Sequence, residues 1–409
     1  MSNATPAPTG RLRRIAGAIG PGLITAAVVL GPGSVTVASK SGALMGYSVL
    51  WALAAAAGMM IVFTYLGAKI GMVAEDSFLT VAARRYGRWV SVLIGLGACF
   101  ICAGFQTGDN VGVGIALAEM FGGMMEIWAI FFTLLALAML WGSKKLYRPL
   151  ELWMVGLVAV MIVSFVANLF RIRPSATGIA LGLVPSMPAV PALVVALTAT
   201  TFSVAAAAFQ AYLVRSKGWT KADLRKGLND SIVGIAVLAG ISAVIMITAA
   251  TVLQPKGIKV QSAVEMAQQL EPLLGSMAKW LFLSGLWAAA FSSFVVNAMV
   301  GGTLLSDGLG IGSTLDSFWA KVFASGIMAL GTVAAILFGG NPINLLVLAQ
   351  ATTVLGVPLM AVVMWIMTND RRVVGDERNG WLTNVVAGIA VAWLLFLSVW
   401  QAIQLVKWP

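Results

Sequence analysis

Histidine is absent from this 409-residue chain, cysteine occurs twice and only 10% of the residues are charged. Each scarcity excludes something. No nucleophile–base pair and no closed metal constellation appears in the sequence, so a soluble-enzyme reading fails and no cofactor is expected. Cys99 and Cys102 lie inside an apolar run rather than in exposed loops, which argues against a disulfide framework. A Cys-x-x-Cys on a helix could hold a soft metal, but small packing residues are the simpler reading. A cleavable leader is not indicated either: MSNATPAPTGRLRR is a short polar tail ending in a basic cluster, and the apolar segment after it runs on without a clear cleavage site. The low charge, with 60% apolar residues and a mean hydropathy of +0.94, excludes an ordinary soluble domain, because so much apolar surface could not be hidden from water.

What is present is a succession of apolar windows of about the length that crosses a bilayer. They fall at 18–42, 47–71, 89–119, 126–142, 149–171, 190–215, 230–253, 277–305, 318–339, 342–367 and 382–406, and predict an all-α polytopic membrane protein with about eleven transmembrane helices. The net charge of +11 would suggest nucleic acid in a soluble protein. Here the positive-inside rule explains it better: with the N-terminus in the cytoplasm, every Lys and Arg except Lys40, Arg171, Arg173, Lys256, Lys259, Lys279 and Lys407 falls on the inner side. The expectation is a multi-pass cell-membrane protein with the N-terminus cytoplasmic and the C-terminus external. Residues 1–17 form a cytoplasmic tail and 18–409 one transmembrane domain, whose longest external connections are 173–189 and 254–276.

Two windows are interrupted. In the first, Gly31-Pro32-Gly33-Ser34 sets helix-incompatible residues at mid-membrane depth, where unpaired backbone groups persist only if protein, water or a bound solute satisfies them. The stretch is either a binding break or a Pro kink in a packed helix. In the sixth, Thr198, Thr200, Thr201 and Ser203 sit in a run of small residues, which is either a second break or a tight helix interface. Interrupted helices five spans apart point to an inverted-repeat transporter with its substrate at the midplane. The repeats would run over about 18–171 and 190–367, with 382–406 as an extra helix.

The order of motifs resembles the NRAMP family of metal-ion transporters, within the superfamily sharing the LeuT-type fold. Gly20-Pro21-Gly22, Gly31-Pro32-Gly33-Ser34 and Gly46-Tyr47-Ser48-Val49-Leu50-Trp51 resemble the family's GPG, DPGN and GYSLLW. Thr107-Gly108-Asp109-Asn110 with Gly114-Ile115-Ala116-Leu117-Ala118 resembles its third helix. The eighth span, with Ser292-Ser293 and Asn297, and the stretch from Leu345 through Gln350 and Val357-Pro358 to Thr368-Asn369-Asp370-Arg371-Arg372 resemble its eighth and tenth helices. The resemblance covers nearly the whole chain and implies a LeuT-type fold of five plus five helices with discontinuous helices 1 and 6.

The departures fall on the metal site that the resemblance implies. The family's Asp and Asn of the first break become Gly31 and Ser34, its Met falls at Ser203, and its His falls near Ala205. Losing a carboxylate and a soft thioether together argues against a manganese or iron site of the usual type. The acidic residue of the third helix is matched by Asp109, the candidate proton or coupling group, while a second acid expected three residues later is Gly112. Glu119 and Glu126 lie near outer helix ends. Lys40 could pair with Asp109 or snorkel to the surface, and snorkelling is favoured.

The candidate substrate site is therefore Gly31, Pro32, Gly33, Ser34, Thr200, Thr201, Ser203 and Gln350. Three readings remain. Hard oxygens could hold a largely hydrated Mg²⁺-like dication or another hard cation, the first choice. Half-helix N-termini could instead accept a small organic or anionic solute such as an amino acid. The third is a non-transporting receptor or scaffold. The expected partners are a small solute or ion and the lipid bilayer, with no nucleic acid and no protein partner inferred.

Overall fold

The computed structural model describes residues 31–142 and 144–406. In hydrocarbon a chain must satisfy its backbone N–H and C=O groups internally, and the apolar windows do so as helices. These are α1 (Pro32–Met45), α2 (Leu50–Val73), α3 (Arg88–Phe121), α4 (Met125–Trp141), α5 (Lys144–Ile172), α6 (Pro191–Thr201), α7 (Val204–Ser216), α8 (Leu224–Val252), α9 (Met277–Leu309), α10 (Phe318–Phe338), α11 (Pro342–Thr352), α12 (Pro358–Met367) and α13 (Trp381–Val406). Helices α1, α6, α11 and α12 each open on a proline, whose missing N–H removes a donor that a first turn could not pair anyway.

Among the described residues, eight stretches are long and apolar enough to cross a membrane, and α11 with α12 forms a ninth, bent by 44°. Helix α4 and the span to which α1 belongs take the remaining expected positions. The tail 1–17 and the first part of the first window lie outside the described residues. The two longest connections carry short helices, Ala176–Gly182 in one and Ala263–Ala267 and Glu271–Leu274 in the other.

The sixth window does break. Phe202 (φ −103°, ψ 74°) and Ser203 (φ −85°, ψ 98°) leave helical geometry between α6 and α7, and the Ser203 hydroxyl accepts from Ala206 N–H at 3.4 Å, capping α7. The tenth window, read as continuous, also bends. A 3₁₀ turn over Thr353–Gly356 precedes Pro358, which cannot donate into an unbroken helix.

The broken sixth span is the centre of the molecule: 94% of its most apolar window is buried, against 28% for α13 at the periphery. Helix α7 lies along α2, and α8 packs on α1 and α2. Helix α9 runs along α3 and α10 to form a second group. Close approach decides the first contact. Side chains at Gly67 and Gly71 of α2 would collide with the carbonyls of Ala207 and Ala211 of α7, so only glycine permits that backbone separation.

Candidate functional site

The start of α1 and the break between α6 and α7 face one cavity. Its lining, among the described residues, is Gly31, Gly33 and Ser34 at the start of α1, Cys102, Phe105 and Asp109 of α3, Ser203, Ala205 and Ala206 at the start of α7, Asn297 and Val300 of α9, and Gln350 of α11. Six of the nine expected site residues thus meet: Gly31, Gly33, Ser34, Asp109, Ser203 and Gln350. The other three stand behind it. Pro32 packs toward Gly112 of α3, Thr200 returns its hydroxyl to Leu197 C=O at 3.1 Å, and Thr201 is buried in the last turn of α6.

Asp109 is 3% exposed and accepts from the Ser293 hydroxyl at 2.5 Å through Oδ1. Its other oxygen, Oδ2, is buried with no hydrogen-bond partner among the described residues, and so is Oε1 of Gln350. Both orphaned atoms are acceptors. The glycines of the first break fit tightly around these groups. A Cβ at Gly31 would stand 3.3 Å from Asp109 Oδ1 and 3.3 Å from Ser293 Oγ, and one at Gly33 would overlap Gln350. The gap opposite Asp109 is thus closed by bare backbone, where the family pattern has an aspartate. Gly112 is explained the same way: a side chain there would overlap the Pro32 ring and touch Ala290.

A neutral polar cluster extends from the cavity wall into the α3–α9–α10 group. Asn297 donates to Cys102 C=O at 3.0 Å and to Gln106 Oε1 at 3.4 Å. Asn110 Oδ1 accepts from Thr133 of α4 at 2.9 Å and from Thr332 of α10 at 3.1 Å. Lys40 does not pair with Asp109; it donates to Oδ1 of the exposed Asn344 on α11 at 2.6 Å. Cys99 and Cys102 are free thiols, and Cys102 packs against Gly301.

Ser293 and Asn297 escaped the list of candidates although both stand in the eighth-span motif. Their signal is a pair of polar residues one helical turn apart, which on an apolar helix reads equally as interface packing. Ala205, at the position of the family's histidine, and Ala206 contribute backbone and methyl groups only.

A cavity at the start of α1 and the break of the sixth span, between a group of helices around α2 and α7 and a group around α3 and α9, defines an integral-membrane protein of the LeuT-type transporter fold. Solved structures share that architecture. A manganese transporter of Eremococcus coleocola superposes with a TM-score of 0.75 at 17% identity, covering 96% of this chain and 87% of that one. A nucleobase-cation-symport-1 family transporter in a closed conformation gives 0.59 at 14% identity, over 95% and 93% of the two chains. In sequence, the chain is 25% identical to the Bacillus subtilis protein named divalent metal cation transporter MntH, over 95% of this chain and 94% of that one. Residues 22–404 match the family described as natural resistance-associated macrophage protein-like, and the chain belongs to that family.

Proposed function

We propose that this protein is a secondary transporter that moves a hard cation across the cell membrane by alternating access to the Asp109 cavity. The relatives' names make a cation the natural cargo class. The observation that supports it in this chain is the pair of orphaned acceptors, Asp109 Oδ2 and Gln350 Oε1, beside the oxygens of Ser34, Ser203 and Ser293. An acceptor-rich pocket with one carboxylate suits a positively charged cargo and disfavours an anionic one. The metal chemistry differs from the family pattern: the first break offers backbone where the pattern has Asp, and Ser203 stands where it has Met. Asp109 is then the group that binds the cation and exchanges it for a proton, and the N-terminus faces the cytoplasm.

Reconstitution into proteoliposomes tests this reading. Cation flux driven by its own gradient or by a pH gradient is expected in the wild type, and Asp109→Asn is expected to abolish it while the protein stays monodisperse. Uptake of labelled amino acids with no cation flux would replace the cation reading with the organic-solute one. A protein that binds a ligand but moves nothing would favour a receptor or scaffold.

A further inference from the structure

Resting on the transport reading above, we infer that the cargo of this cavity is a monovalent, largely dehydrated, oxygen-preferring cation of the alkali class. Two independent observations lead there, the first of them charge. Asp109 is the one acidic residue lining the cavity among the described residues, and residues 1–30 contain no Asp or Glu at all. Deep in a low-dielectric interior an uncompensated charge is very costly, so one carboxylate balances one positive charge and leaves a dication with an unmatched one. The second observation is size. The cavity measures about 20 Å³, enough for one water-sized occupant. Mg²⁺ gives up water reluctantly and keeps several of its waters, so a pocket this narrow favours an ion that sheds them.

The donor atoms agree with both. Around the occupant stand carboxylate, amide and hydroxyl oxygens from Asp109, Gln350, Ser34 and Ser203. One sulfur, Cys102, also lines the cavity, but a single thiol among these oxygens gives a soft cation little advantage. Gly31 sharpens the argument. A Cβ there would face Asp109 Oδ1 at 3.3 Å, so an aspartate at position 31 would set two carboxylates around one point, and their absence in combination is what lowers the charge the site can neutralise.

Thermal melting of the purified full-length protein at constant ionic strength tests the inference, with NaCl, KCl or NH₄Cl replacing choline chloride and, separately, with MgCl₂ or MnCl₂. Na⁺, K⁺ or NH₄⁺ is expected to raise the melting temperature saturably, and Asp109→Asn to weaken the half-saturating concentration by about tenfold or more. The divalent salts are expected to do no more than choline. The milder Ser34→Ala, which keeps the carboxylate, is expected to weaken the monovalent effect several-fold. Gly31→Asp is expected to reverse the preference, giving a response to Mn²⁺ or Mg²⁺ that the wild type lacks. Saturable, Asp109-dependent stabilisation of the wild type by Mg²⁺ or Mn²⁺ and not by a monovalent ion overturns the inference but leaves cation transport standing. If no cation of either charge binds or crosses proteoliposomes, the transport reading falls and the inference with it.

Discussion

At the scale of single residues, glycine decides how closely backbone and side chains meet around the cavity. Gly31, Gly33, Gly108 and Gly112 bring backbone against Asp109, Gln350 and Pro32, whose side chains fill the space a Cβ would need. Restoring an acid at Gly112 therefore restores no network. Gly112→Glu drives a side chain into the Pro32 ring and is expected to destabilise the fold by about 1–3 kcal/mol, as overpacking of a filled interior does. The melting temperature of the purified variant checks this, and a value equal to wild type would show that the first break moves freely away from α3. Which residues line the cavity was partly legible. Gly31, Gly33, Ser34 and Ser203 announce themselves as helix breakers or polar atoms where helices stop, and Asp109 as a carboxylate in an apolar span. Ser293 and Asn297 do not, because a polar side chain within a continuous helix acquires a role only once its partner on another helix is known.

At the scale of elements, the windows of apolar sequence translate closely into helices because a lipid-embedded chain has few other ways to pair its backbone. Their interiors are less legible. The same small Ser, Thr and Ala residues serve a break and a close interface, so the two-residue interruption at Phe202–Ser203 is visible only in the backbone angles. The bend between α11 and α12 hides in Gly356-Val357-Pro358, short enough to read through. Helix separation is sharper evidence. Gly71→Leu is expected to push α7 off α2 and to cost more than about 3 kcal/mol, since the obstruction is backbone rather than a side chain that could swing aside. Loss of a monodisperse peak in detergent is the readout. Gly58, which has open space around it on the same helix, should tolerate Leu.

At the scale of the whole molecule, the helix groups meet at one end through Asp307 of α9. It accepts from Ser77 Oγ at 2.9 Å, Leu79 N–H at 3.1 Å, Thr80 Oγ1 at 2.8 Å and Tyr212 OH of α7 at 2.5 Å. Tyr212 is the donor that reaches across from the broken span, so Tyr212→Phe is expected to loosen this end while the other three bonds hold Asp307. A single cysteine introduced near Ser203 should then react faster with a thiol reagent added from the Asp307 side. Beside it, Arg85 donates to Asp370 at 2.6 Å, and this bond, with the Arg372 N–H, holds the Asp370 carboxyl below the usual range. A carboxyl pKa depressed on folding lends stability that is full above about pH 4 and lost as pH falls through the lowered value. Melting temperature should therefore fall more steeply on acidification in the wild type than in Arg85→Ala.

The cluster of Asn110, Thr133, Thr332, Gln106 and Asn297 has a different consequence. None of these amides and hydroxyls gains or loses a proton in the physiological range, so the framework of α3, α4, α9 and α10 keeps the same bonds in acid and in base. The proton exchange proposed for Asp109 would therefore find no relay within this cluster, and would pass with water through the cavity itself.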